Sequence, residues 1–269
     1  VYYDIDDLIF DYERISYLHF LTGSEYKDFK KTTEQIHSCM ELCDGYFTST
    51  DTLAGEIRRE FPGKPVVINR NCASMEMQIL SHDAVEQVEK DPEHISIGYF
   101  SGSKTHDQDF EVAEEAILEV MKEHPEVRLK LVGVLSDRKM EKFGNKVEKL
   151  PFMDWKQLPS VMAGIDINLM PLEDSIFHCS KSENKWMEAA LVKVPSVMSR
   201  NREMEGVIEN GWLCSDKEEW KKALTTLIEE KTARVQMGEK AHKKVMCQYV
   251  TQNTGKDARE ELLCSEKYS

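Results

Sequence analysis

Ser180-Lys181-Ser182-Glu183-Asn184-Lys185-Trp186-Met187-Glu188 concentrates charge and hydroxyls at what reads as the start of a helix. Lys181, Lys185 and Glu188 are four and three residues apart, so one helix would set all three on a single face. A lysine in the first turn opposes the helix dipole. A cation held there implies that an external anion, such as a diphosphate, completes the site. The same spacing also suits an ordinary Glu–Lys pair on an amphipathic surface.

Two other clusters have chemical potential. Gly98-Tyr99-Phe100-Ser101-Gly102-Ser103 reads as a strand running into small residues just before a helix that starts near Asp107. Small side chains let backbone N–H groups approach a phosphate, and a helix N-terminus adds partial positive charge. The spacing matches neither a dinucleotide fingerprint nor a P-loop, and a tight turn without a ligand would look the same. Asp4-Ile5-Asp6-Asp7 closes the first strand with carboxylates able to hold hydroxyls, act as a base or bind a divalent ion; they could equally cap the next segment. Cys39, Cys43 and nearby His37 could share a helix face, but seven cysteines without a CxxC pair fit small core residues better than zinc or a disulfide framework.

The elements that must position these groups alternate. Strands are expected at 1–5, 45–49, 65–69, 95–100, 129–135, 147–150, 166–171, 195–199 and 211–214. Helices are expected at 25–43, after Ser49-Thr50-Asp51, and at 110–122, 155–163, 182–193, 217–229 and 232–249. Trp155 reads as a packing residue at a helix start, and Trp186, Trp212 and Trp220 as core. Residues 71–93 are polar and read as a linker with a helical turn. Strand–helix alternation of this length implies parallel sheets covered by helices, with every strand's carboxyl end, and hence any ligand, on one edge.

Of the 269 residues 41% are hydrophobic and 31% charged, a globular composition sufficient for one large or two modest domains. A net charge of -14 excludes a broad nucleic-acid-binding face, though not a nucleotide ligand. No apolar run reaches the roughly 18 to 20 residues of a membrane span, and no leader peptide is visible. The chain opens on Val1-Tyr2-Tyr3-Asp4-Ile5 as a strand already under way, which implies residues upstream of Val1.

Four segments, in this order, carry a resemblance: YDIDDLIFD (Tyr3 to Asp11), IGYFSGSKTHDQDF (Ile97 to Phe110), DINLMPLEDSIFHCSKSENKWMEAALVKVPSVMS (Asp166 to Ser199) and IENGWLCSDKEEW (Ile208 to Trp220). Together the chain resembles the family-4-type retaining GT-B glycosyltransferases, particularly bacterial enzymes of surface-polysaccharide synthesis. Lys185 to Ser199 is the most specific stretch, with Lys185, Glu188, Ala189, Pro195, Val197 and Ser199 on the family pattern.

The resemblance implies an α/β fold of GT-B type. A Rossmann-like nucleotide-sugar domain over 95–250 would join, through a linker at 76–94, the C-terminal part of an acceptor-side domain at 1–75, with a polar tail at 251–269. It implies transfer of a sugar from a nucleoside diphosphate to an acceptor hydroxyl with retention, in polysaccharide or glycoconjugate synthesis. The partners would be a nucleotide-sugar donor and a glycan or lipid-linked acceptor, with no cofactor, no metal and no nucleic acid. The expected place is the cytoplasm, where contact with the inner face of the membrane stays open.

Residue by residue, Glu188 matches the second acid of the family's E-x7-E motif, which holds the ribose hydroxyls. The first acid falls at Ser180, so Glu183 or His178 would have to take its place. Tyr99 stands where the family has arginine, leaving Lys181, Lys185 or Lys104 to neutralise the diphosphate. The implied catalytic residues are Asp6, Asp7 and Lys185; the implied donor-binding residues are Gly102, Ser103, Lys104, Lys181, Ser182, Glu183 and Glu188. Ser180 and Tyr99 also motivate an alternative, a non-catalytic GT-B-like nucleotide-binding or scaffold module of a larger protein. A nucleotide-sugar epimerase would need acid and base groups around the sugar's C2 that the sequence does not reveal.

Overall fold

The computed structural model describes residues 1–11, 13, 23–102, 107–133, 135 and 138–254. They fall into two compact units. One contains Val1–Asn71 and Asp174–Ser182, the other Cys72–Glu173 and Glu183–Thr251.

The first unit is built on β1 (Tyr2–Ile5), α1 (Gly23–Glu41), β2 (Gly45–Thr48), α2 (Asp51–Glu60) and β3 (Val66–Ile68). Its strands are parallel in the order β1-β2-β3, with Tyr3 opposite Tyr46 and Tyr46 opposite Val66. Thr50 caps α2 by accepting the Leu53 N–H at 3.1 Å, so Leu53, Ala54 and Ile57 turn inward. They meet Ile5, Leu8, Phe10, Met40, Tyr46 and Phe61 in one apolar core, joined by Phe177 from the returning segment.

The second unit opens with α3 (Met75–Gln87), where the sequence reads as a linker. Ser74 caps it, accepting the Met77 N–H at 3.1 Å, and only Ser81 and Ala84 are buried along its length. A helix that packs through two small residues, with Met75, Ile79 and Val85 exposed, leaves almost no apolar stripe to read. Then follow β4 (Ile95–Ser101), α4 (Asp107–Glu123), β5 (Val127–Gly133), a 3₁₀ stretch (Arg138–Lys146), β6 (Val147–Leu150), α5 (Leu158–Ala163) and β7 (Ile167–Met170). The chain passes through α6 (Ile176–Cys179), which belongs to the first unit. It returns as α7 (Asn184–Leu191), β8 (Ser196–Ser199), a second 3₁₀ stretch (Met204–Asn210), β9 (Trp212–Cys214), α8 (Lys217–Glu229) and α9 (Lys231–Gln248). Trp155 lies outside α5 and is 42% exposed, contrary to the packing role expected of it. The helix starts later because Pro159 fits only its first turn.

All six strands of this unit are parallel, in the order β6-β5-β4-β7-β8-β9. β4 lies between β5 and β7, so successive connections leave in opposite directions from it. In open sheets of this kind the crevice at that reversal, beyond the carboxyl ends of the two central strands, is the ligand position. Beneath it, Phe110, Ala113, Ile117 and Val120 of α4 and Trp220, Leu224 and Leu227 of α8 share a core with Ile97, Leu129, Ile167 and Val197 of the sheet.

Candidate functional site

At the carboxyl edge of the first unit's sheet, three chain segments converge. Asp6 and Asp7 follow β1, Asn71 lies beyond β3, and Lys181 and Ser182 follow α6. The Asn71 amide donates to both Asp6 carboxylate oxygens at 3.0 Å and to Ser182 Oγ at 2.9 Å. Asp7 keeps an open face to solvent, yet the protein crowding it raises its pKa above the ordinary carboxylate value. Lys181 works against that rise, and Asp6 adds to it. Five residues that span more than 170 positions of the sequence thus form one polar and charged group, with Lys181 Nζ 5.0 Å from the Phe177 ring centroid. Asn71→Ala is expected to lower stability by about 1 kcal/mol, seen as a lower urea midpoint at unchanged slope. Asn71→Asp should cost more, because it faces Asp6 with like charge.

Lys181 does not share a helical face with Lys185 and Glu188, as its spacing had suggested. Ser175 caps the short α6, and the Ser180 carbonyl, which a continuous helix would use for residue 184, accepts the Thr50 hydroxyl at 2.9 Å instead. The helix therefore restarts at Asn184. Ser180 is 1% exposed, with its hydroxyl donating to the Ile176 carbonyl at 2.7 Å. His178 is 2% exposed, with Nδ1 2.7 Å from Ser175 Oγ. Both side chains are held by hydrogen bonds within this segment.

In the second unit, β4 delivers Gly102 to the crevice edge, exposed and with open space where a side chain would stand. Ser103 and Lys104, also expected there, lie outside the described residues. On the other side α7 follows β7. Asn168, fully buried in β7, donates to Ser196 Oγ at 2.9 Å and to the Lys185 carbonyl at 3.3 Å, pinning the first turn of α7 to the sheet. Glu183 precedes that turn without capping it. It is buried and attracts Lys244, whose pKa burial lowers and Glu183 partly restores. Lys185 Nζ lies 5.3 Å from the Tyr99 ring centroid. Glu188, one turn on, has its pKa pushed up to about 7 by burial, with Lys185 opposing the rise. Trp186 faces the opposite way, fully buried against Tyr249 and donating Nε1–H to the Asn210 carbonyl at 3.1 Å.

Residues 95–230, half the chain and the whole of this six-stranded sheet, match the family described as glycosyl transferases group 1. The chain belongs to that family. No curated protein matches this group 1 chain. Among solved structures it is similar to HepE of Anabaena, determined with UDP-glucose (14% identity, TM-score 0.63, covering 90% of this chain and 69% of that one). It is similar to TarM of S. aureus, determined with UDP (14%, 0.65, 98% and 50%). It is also similar to WaaG, a glycosyltransferase involved in lipopolysaccharide biosynthesis (14%, 0.63, 92% and 70%). The group 1 chain thus spans between half and seven tenths of these relatives, and the fold it shares with them is the α/β GT-B type with Rossmann-like parallel sheets.

Within the group 1 fold, Tyr99, which stands where the resemblance has arginine, is a core residue: it is fully buried, with its ring 5.0 Å from Phe110. Asn71 and Asn168 were not among the residues singled out from sequence. Asn71 gave no signal, since it stands in a polar stretch. Asn168 did: an amide in the middle of an otherwise apolar strand must find buried partners. No helix among the described residues is long and apolar enough to cross a membrane.

Proposed function

We propose that this chain binds a nucleoside-diphosphate sugar at the crevice of its six-stranded sheet and transfers the sugar to an acceptor hydroxyl with retained configuration, in polysaccharide or glycoconjugate synthesis. The observation that carries the reading is Glu188. It is a carboxylate with a raised pKa on a helix that opens at the topological reversal, one turn beyond Lys185, in the domain that matches the family. Perturbed carboxylates in such crevices are characteristic of binding sites. The UDP and UDP-glucose complexes of TarM and HepE support a uridine nucleotide as the first donor to try.

In this reading Glu188 accepts the two ribose hydroxyls, and Gly102, Ser103, Lys104, Ser182 and Glu183 complete the donor contacts. Lys185 and Lys181 oppose the negative charge that grows on the departing diphosphate. Asp6 and Asp7 serve the acceptor. The bond from the anomeric carbon to the phosphate oxygen breaks with its electron pair leaving on the nucleoside diphosphate. The acceptor oxygen bonds to that carbon and gives up its proton. The raised pKa of Asp7 suits a group that takes a proton from a hydroxyl. No resident cofactor or metal is assigned. A cytoplasmic place, with or without contact to a membrane surface, belongs to the same proposal.

The buried Ser180 favours a second reading, in which the chain binds a nucleotide without turnover. Calorimetric titration with UDP, GDP and CDP, followed by an assay for release of the nucleoside diphosphate from the matching sugar nucleotide, separates the two. The proposal expects one nucleotide to bind at micromolar concentration and its sugar to turn over. Binding without turnover supports the second reading, and no binding at millimolar concentration rejects both.

A further inference from the structure

The backbone leaving β7 is held from both sides by side chains that the donor contacts above do not include. Ser199, the last residue of β8, accepts the Leu172 N–H at 2.8 Å and donates its own hydroxyl to the Leu172 carbonyl at 2.9 Å. Both polar groups of one residue are therefore satisfied by a single hydroxyl. One position further, the Glu173 N–H donates to Asp109 Oδ1 at 3.0 Å. Asp109 is the third residue of α4, the helix that follows the Gly102 loop, and its side chain is completely buried.

These bonds occupy a particular place. Leu172 and Glu173 leave the sheet at the strand order's reversal, and Glu173 is the last residue of the second unit before the chain departs toward α6. Ser199 ties this exit to β8, the neighbour on one side, and Asp109 ties it to the connection after β4, the neighbour on the other. The Asp109 bond runs from one wall of the crevice to the other. A backbone N–H at a strand exit is ordinarily free to turn to water. Here a buried carboxylate, favoured by the first turn of α4, fixes its direction.

We propose that Asp109 and Ser199 are positioning residues for the donor nucleotide: without touching it, they fix the chain leaving β7 against the first turn of α4 on one side and the end of β8 on the other. This rests on the donor reading given above. The expected result is that Ser199→Ala and Asp109→Ala each weaken binding of the preferred nucleotide among UDP, GDP and CDP at least tenfold, measured by calorimetry on the whole chain well below its melting temperature. Asp109→Asn, which keeps an acceptor oxygen for the Glu173 N–H, should bind within threefold of wild type. Where alanine does not fold, Ser199→Cys keeps the packing and weakens both bonds, and it should lose more than threefold. Variants that melt earlier but bind as tightly as wild type would reduce the clamp to a structural role and overturn the proposal alone. A wild type that takes none of the three nucleotides would overturn the donor reading, and this proposal with it.

Discussion

Glu188→Gln is expected to cut nucleoside-diphosphate affinity about 10- to 150-fold, equivalent to about 1.5–3 kcal/mol. A carboxylate accepts from two vicinal hydroxyls at once, whereas the amide offers one oxygen and turns a donor toward the other hydroxyl. The pH response makes the test sharper. With its pKa near 7, Glu188 is partly protonated in neutral buffer, so wild-type affinity should climb as pH rises through about 7 and level off above it. Stability should move the other way. The folded chain holds this proton more tightly than the unfolded chain, whose carboxyl titrates near 4.5. The contribution is therefore fully present below about 4.5 and is lost as pH rises toward about 7. In Glu188→Gln both dependences on this group should vanish, leaving only the titration of the nucleotide's own phosphate. Calorimetry from pH 6 to 8.5 reads the first dependence, and thermal melts from about pH 4 to 8 read the second. A glutamine variant that keeps the wild-type affinity profile removes Glu188 from the donor site.

Gly133→Ala should be the most damaging single methyl in the second unit. Gly133 ends β5 with φ +99°, and a Cβ built there would stand 1.9 Å from the carbonyl oxygen of Ser101, its register partner on β4. Left-handed backbone costs an ordinary residue on the order of 1–3 kcal/mol, and forced overpacking costs about as much again. The total, about 2–6 kcal/mol, is a large part of the stability of a typical domain. We expect the melting temperature to fall on the order of 10 °C. Because Ser101 precedes Gly102, any relief by strand displacement moves the crevice edge, so donor affinity should fall together with stability. A variant that melts within about 2 °C of wild type would mean that the two strand ends separate freely.

The fold was largely legible because its determinants are local. Runs such as Ile95–Ser101 and Ile167–Met170 are mostly apolar and buried on both faces, as parallel strands under two helical layers must be. Thr50, in the Ser49-Thr50-Asp51 start signal, makes the capping bond to Leu53. Reading failed where local signals were thin. The helix at Met75–Gln87 packs through Ser81 and Ala84, which carry no hydrophobic signature. The break between Ile176–Cys179 and Asn184–Leu191 depends on Thr50, which takes the Ser180 carbonyl from 130 residues away.

The candidate site divides along the same line. Sequence by itself determined that the chain is α/β with parallel sheets, that Glu188 and Lys185 share a helix, and that Asp6, Asp7 and Gly102 stand at carboxyl ends of strands. Periodicity and pattern act over a few residues and need no knowledge of the rest. Only the tertiary structure decided that Lys181 belongs with Asp7 rather than with Glu188, that Asn71 ties Asp6 to Ser182, and that Tyr99 is core. It also decided that Asp109 and Ser199 meet the chain leaving β7. Each of these depends on which distant segment comes to satisfy a polar group or fill a volume. That is settled when the chain closes on itself, because burial makes an unmatched hydrogen bond too costly to leave.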